Sequence, residues 1–231
     1  MDPNLVSYRR DGDVGVIVMD DGKANVMSIP MIGALNDVLD VAERDGVVVV
    51  VQGRPGRFSG GFDLATLTGG GEDLTTMLIG GFEVVERLLH HPTPVVTACT
   101  GHAIAMGAFL LLGGDHRVGA DGPFKITANE VAIGLTMPLA PIEICRMRLT
   151  ATEVQRAMLL AQVYAPDEAV DAGFLHEVAP PDDVGTRAVD VARRLAQLDM
   201  PAYRGTKQQV NAMKKVLLTL LVLLVVGGVF A

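Results

Sequence analysis

Apolar residues recur along this chain in two alternating rhythms. Val14 to Met19 reads VGVIVM and predicts a buried strand, closed by Asp20-Asp21-Gly22. Ile32, Leu35, Val38, Leu39 and Ala42 then fall on one face of a 3.6-residue period. Ser28-Ile29-Pro30 opens that helix with a proline near its first turn, and Asp45-Gly46 ends it. Val47 to Val51 is an unbroken valine run, the pattern of a strand covered on both faces. Gly53 to Gly61 reads as a glycine-rich loop. Leu74, Leu78, Phe82, Val85 and Leu89 make a second amphipathic helix, which Pro92-Thr93-Pro94 breaks. Val95 to Thr100 predicts the next strand. Gly101 to Leu112 mixes small and apolar residues and enters a buried helix near Met106. His116 to Ala120 is a short strand. Helices are predicted over Thr152 to Ala161, Asp167 to Ala172 and Asp182 to Leu198. The last turns Val184, Ala188, Val191, Ala192 and Leu195 inward. Strands alternating with helices imply an α/β architecture with right-handed crossovers.

Charge and composition narrow the picture. The 231 residues carry 19 Lys plus Arg against 27 Asp plus Glu, a net charge of −8. That length suits one large domain. An acidic chain argues against nucleic acid as a partner, since such binders need a basic surface to displace counterions. A local basic site for a phosphorylated ligand stays open. Hydrophobic residues make up 49% and the mean hydropathy is +0.36, which excludes disorder. Much of the excess lies in Val216 to Ala231, an uncharged run preceded by Met213-Lys214-Lys215. As a helix that run spans about 24 Å, short of a ~30 Å hydrocarbon core. Three readings compete for it: a helix buried between subunits, a marginal membrane anchor, or foreign or frameshifted sequence. Membrane contact is expected only under the second. Cys99 and Cys145 read as reduced thiols of a cytosolic protein. Met1-Asp2-Pro3-Asn4 lacks the basic and apolar layout of a secretion signal, so a cytoplasmic location is expected.

Several chemistries drop out on spacing. Gly53 to Gly61 lacks the G-K-[ST] ending of a P-loop, and Arg57 stands where a nucleophile elbow around Ser59 needs glycine. The histidines, His90, His91, His102, His116 and His176, have no metal-ligand spacing, so no metal is expected. No G-x-G-x-x-G opens a helix after a strand.

Three segments remain. Arg57-Phe58-Ser59-Gly60-Gly61-Phe62-Asp63-Leu64 follows the valine strand, where glycines leave backbone N–H groups open to a ligand. Gly101 to Phe109 runs a strand into a helix whose small-residue first turn suits a developing oxyanion. Thr127 to Leu135 sets Glu130 in a mostly apolar stretch, where a carboxylate should have a raised pKa and shuttle protons. Taken singly, each has a plainer reading: an ordinary turn, close helix packing, a solvated glutamate.

Taken together they resemble the enoyl-CoA hydratase/isomerase family, the crotonase superfamily. Phe58 to Leu64 looks like the family's F-[SC]-[AG]-G-x-D-L, and Val95 to Ala103 like its strand leading to N-G-x-[AC]. Asn129 to Leu135 resembles P-E-x-x-[IL]-G, Lys23 to Ser28 resembles N-A-[LM]-[ST], and Ala165 to Phe174 resembles A-x-E-A-x-x-x-G-[LF]. Order and spacing match from about residue 5 to about residue 210. The resemblance implies a spiral core of ββα units over residues 1–195, and a helical trimerisation region starting over 196–215. Residues 216–231, the apolar tail, depart from the family pattern. Family members are commonly homotrimers or dimers of trimers.

The resemblance also implies an acyl-CoA thioester as substrate, with coenzyme A part of that substrate and no other cofactor. The Gly60 and Met106 N–H groups would hold the thioester oxygen. Glu130 would be the acid/base. Ala24, Ser59, Gly61, Phe62, Asp63, Leu64, Gly107 and Phe109 would line the substrate site. Hydratases of the family use two glutamates. Phe109 stands where the second would be, and Asn129 replaces a frequent proline. Both departures favour moving a double bond from C3 to C2 over adding water. Enoyl-CoA hydration, and acyl-CoA binding with little catalysis, are the alternatives.

Overall fold

The computed structural model describes residues 5–211. β1 (Val6–Asp11) and β2 (Val14–Met19) form a hairpin, and β3 (Val26–Met27) leads into α1 (Ile29–Asp45). β4 (Val48–Gln52), β5 (Gly56–Ser59), β6 (Gly61–Phe62), α2 (Leu64–Gly69) and α3 (Gly71–His90) follow. Then come β7 (Val95–Cys99), β8 (Gly101–Ile104), α4 (Met106–Leu112), β9 (His116–Ala120) and β10 (Ile126–Thr127). A 3₁₀ turn at Val131–Ile133 precedes α5 (Leu139–Arg148), α6 (Ala151–Leu160) and α7 (Pro166–Ala172). β11 (Glu177–Ala179) and α8 (Val184–Leu195) complete the core, and residues 200–211 form a further helix, α9.

The strands form three sheets. The largest has the order β1-β2-β4-β7-β9-β11, parallel except for the β1–β2 hairpin. β10-β8-β5 make a parallel sheet, and β3 pairs with β6. The chain repeatedly lays one strand in the large sheet, one in a small sheet, and then a helix. β2-β3-α1, β7-β8-α4 and β9-β10-α5 each follow that path. This is the ββα spiral that the resemblance implied.

The valine run explains why the large sheet is closed on both sides. Successive strand residues face opposite ways. Val49 and Val51 join the main core with α1, α3 and α4, while Val48 and Val50 join a second core under α8. All four are buried. α8 turns in Val184, Ala188, Val191 and Ala192 as the periodicity predicts, with Leu195 partly buried.

α1 begins and ends where its sequence says. The Met31 N–H donates to Ser28 Oγ at 3.3 Å, Pro30 sits in the first turn, and Gly46 closes the helix at φ 65°. Ser28→Ala should lower stability by about 1 kcal/mol, the usual worth of such a cap, measured by urea denaturation.

The stretch predicted as a glycine-rich loop, Gly53 to Gly61, instead contains β5 and enters β6. Gly101 to Ile104, within the segment read as a strand running into a helix, is a separate strand, β8. α9 falls in the span 196–215, where a helical region was expected. It is fastened to the core by polar contacts: Tyr203 Oη and Lys207 Nζ donate to Asp115 at 2.7 and 2.6 Å, and Asn211 Nδ2 donates to the Leu89 carbonyl at 2.7 Å. The apolar tail, 216–231, lies outside the described residues. Among the described residues no helix is long and apolar enough to cross a membrane.

Candidate active site

Three chain segments meet at the N-terminus of α4. The first is held by a buried amide. Asn25 is fully buried, and its Nδ2 donates to the Met19 carbonyl at 2.9 Å and to the Phe58 carbonyl at 3.3 Å. It ties the Lys23–Ser28 element to the end of β5. Ser59 Oγ donates back to the Asn25 carbonyl at 2.7 Å and accepts from the Gly61 N–H at 3.3 Å. Ser59 is itself fully buried. It therefore shapes the turn from beneath, a correction to its expected place among substrate-lining residues.

The second segment presses against this turn. A methyl group at Gly107 would lie 2.3 Å from the Ser59 carbonyl oxygen. One at Gly61, which sits at φ 94°, would lie 3.0 Å from the Ile104 carbonyl oxygen and 3.5 Å from the Met106 nitrogen. Glycine at both positions brings the two backbones into direct contact. The chain reaches α4 through Ala105, which holds a left-sided φ of 51°. No side chain caps this helix. The Ala108 N–H turns back to the Ala105 carbonyl at 2.9 Å, whereas the Met106 amide, the first of the helix, has no partner within it.

One expected donor is already occupied. The Gly60 N–H donates to the Ala24 carbonyl at 2.8 Å, so it is not open to a thioester oxygen. The reason is the Ala24–Asn25 bend, which turns a carbonyl onto the β5 end. The Gly61 N–H faces Ser59 Oγ. The next amide, that of Phe62, has no side-chain or loop acceptor among the described residues. The turn's next candidate donor is therefore Phe62, which pairs with Met27 of β3, two positions later than its sequence suggests.

The third segment brings the carboxylate. Ala105 donates its N–H to the Thr127 carbonyl at 2.8 Å, and β10 pairs with β8. Glu130 follows Thr127 closely, so it leaves the strand fastened to the entrance of α4. Its Oε2 is shut off from water and has no hydrogen-bond partner among the described residues. Burial pushes its pKa up to about 7, as the apolar context predicts. That burial does not come from its own neighbours in sequence: Val131, Ile133 and Leu135 are 43%, 54% and 41% exposed. Glu130 lies near enough to Cys145 of α5 for its charge to raise that buried thiol further.

The remaining expected positions sort by what they touch. Phe109 is buried, its ring 6.1 Å from that of Phe82, which meets Phe62 edge-on at 6.0 Å. Asp63 caps α2, accepting from the Thr66 N–H at 2.8 Å and the Thr66 hydroxyl at 2.9 Å, and these bonds lower its pKa. Leu64 is 68% exposed. Sequence reasoning missed Asn25, Gly81 and Phe82. A buried asparagine has no periodic signature, and the α3 residues read simply as a helix face. Cys99 and Cys145 are buried and unpaired.

The sequence model described as enoyl-CoA hydratase/isomerase matches residues 9–220. A crystal structure of an enoyl-CoA hydratase from Mycobacterium marinum is 45% identical and superposes with a TM-score of 0.93, over 97% of this chain and 99% of that one. An apo structure of an Mtb enoyl-CoA isomerase is 47% identical with a TM-score of 0.91, over 95% of this chain and 96% of that one. A curated relative, the putative enoyl-CoA hydratase of Thermus thermophilus, is 30% identical over 210 residues, 87% of this chain and 82% of the relative.

Proposed function

The chain belongs to the enoyl-CoA hydratase/isomerase family, and from that premise we propose that it moves the double bond of a 3-enoyl-CoA thioester to the 2-position, with Glu130 as the single acid/base. The observation that carries this reading is a buried carboxylate whose Oε2 has no partner among the described residues, with a buried phenylalanine at the family's second carboxylate position.

The proposed steps are these. The Glu130 carboxylate takes a proton from C2. The C–H electron pair moves toward the thioester carbonyl, leaving a dienolate. Its oxygen is held by the Met106 and Phe62 N–H groups, fixed beforehand by the glycine contacts. Prearranged donors of this kind are worth about 3 kcal/mol each to a developing oxyanion. Glu130, now a carboxylic acid, gives the proton to C4, and the double bond settles between C2 and C3. The same carboxyl must both accept and return the proton, and a pKa near neutrality suits both roles. Activation comes from the thioester and the two amides, so the reaction calls for no further cofactor.

Hydration is the second reading, favoured by the hydratase relatives. Adding water across C2 and C3 needs a second group to hold the water, and Phe109 offers none. The test is kcat/KM on matched 3-enoyl-CoA and 2-enoyl-CoA substrates. The 3-enoyl isomer should be preferred by about 100-fold, the low end of what one positioned acid/base group contributes. Equal or reversed preference overturns the isomerase reading. Binding of both isomers without turnover of either supports an acyl-CoA-binding role.

A further inference from the structure

The two amides assigned to the thioester oxygen belong to residues whose side chains share one seat. α3 carries adjacent glycines in its middle, Gly80 and Gly81. Glycine weakens a helix interior because its backbone loses the most freedom on folding. Such a pair needs a packing reason, and the two glycines have different ones. A methyl group at Gly80 would lie 3.1 Å from Ile32 Cγ2, so Gly80 lets α3 approach α1. A methyl group at Gly81 would lie 2.4 and 2.7 Å from Cε1 and Cζ of Phe62, and 3.5 Å from Met106 Cε.

The Phe62 ring is thus pressed onto the bare backbone of α3, with Phe82 edge-on beside it. Its own backbone has little slack. β6 is paired with β3, and the preceding Gly61 is wedged against the Ile104 carbonyl. A push on the ring is therefore passed to the Phe62 amide. The Met106 side chain reaches the same spot and opens the helix whose first amide is the second donor. We propose that Gly81 is a positioning residue, the seat that fixes Phe62 and Met106 and so sets the spacing of the two amides. The proposal rests on the enolate reading above.

The test compares Gly81→Ala, Gly80→Ala, Phe62→Leu and the double variant Gly81→Ala/Phe62→Leu. Gly81→Ala should lower kcat on 3-enoyl-CoA by about 10- to 100-fold, the cost of displacing a catalytic group by a fraction of an ångström. Its KM should stay within about threefold of the parent, since the loss falls on the transition state. Gly80→Ala crowds α1 instead and should lose stability while keeping kcat. In the double variant the smaller side chain relieves the clash, and kcat should return to that of Phe62→Leu alone. A second readout is the ultraviolet band of a bound 2,4-dienoyl-CoA, whose red shift reports polarisation of the thioester carbonyl without turnover. The parent should show the shift and Gly81→Ala a smaller one. Equal kcat losses in Gly80→Ala and Gly81→Ala, an undiminished red shift in Gly81→Ala, or a double variant far below Phe62→Leu overturns the seat. If Gly81→Ala does not fold, the comparison of the double variant with Phe62→Leu decides alone. No red shift in the parent overturns the enolate reading, and the seat with it.

Discussion

Replacing Glu130 with glutamine should lower kcat on 3-enoyl-CoA by about 10²- to 10⁴-fold, the range for removing a positioned acid/base, and should make the protein harder to unfold at alkaline pH. Both effects come from one burial. Glutamine keeps the shape but can neither take the C2 proton nor return one to C4. Acyl-CoA affinity should change little, because the donors on α4 and β6 are untouched. In the parent, kcat/KM should rise with pH through about 7 as the carboxylate form appears.

The stability effect has a definite sign. Glu130 has a folded pKa of about 7 against an ordinary value of 4.5. Between those values the folded chain holds a proton that the unfolded chain has released. Stability is therefore full below pH 4.5, declines as pH rises, and has lost this contribution above about 7. At 1.36 kcal/mol per pKa unit the decline amounts to about 3 kcal/mol. The glutamine variant has no charge to desolvate and escapes it. Its melting temperature should match the parent near pH 4 and exceed it by about 6–12 °C near pH 9, given roughly 2–4 °C per kcal/mol for a chain of this size. A gap that does not widen with pH would mean that burial is not what raises the pKa. Undiminished turnover would remove Glu130 from the mechanism altogether.

What the sequence disclosed depends on how locally each feature is determined. α1 was legible because its cap, its proline and its terminal glycine lie within one contiguous stretch. The valine strand was legible because burial on two faces leaves no room for a polar residue. β5, β8 and β10 were not. They are two to four residues long, and their partners lie far apart in the chain, as Gly56 opposite Gly101 and Ile126 opposite Ala103 show. No local period marks such strands. The motifs located the turn at Phe58 to Leu64 but not which of its amides is already taken. That is decided by the Ala24 carbonyl, more than thirty residues upstream, which takes the Gly60 N–H. Glu130 was found for a sound reason with one wrong step. Its apolar neighbours predicted a desolvated carboxylate, yet Val131, Ile133 and Leu135 are exposed, while Cys145 of the distant α5 lies close to it.

Gly107→Ala should damage both stability and turnover, because its methyl group falls on the seam between the two donor-bearing segments. The added carbon would sit 2.3 Å from the Ser59 carbonyl oxygen and 2.9 Å from the Ser59 carbonyl carbon and Cβ. Neither partner can yield cheaply. Ser59 is fixed through its hydroxyl to the Asn25 carbonyl, and Phe58 before it is fully buried. α4 is buried along its whole length. Relief must come from parting the β5 turn and α4, the two elements that supply the proposed oxyanion donors. Overpacking of this kind costs about 3 kcal/mol, and the displaced amides should lower kcat by about 100-fold in whatever protein remains folded. Gly33→Ala is the matched control. Gly33 lies on the exposed face of α1 with open space around its Cβ position. There the same methyl group should stabilise by about 0.5–1 kcal/mol, because it restricts only the unfolded chain. Urea denaturation of both variants, with kcat measured well below the unfolding midpoint, gives opposite signs if the contact between β5 and α4 is as close as described. A Gly107→Ala protein as stable and active as the parent would mean that the two donor-bearing segments do not touch.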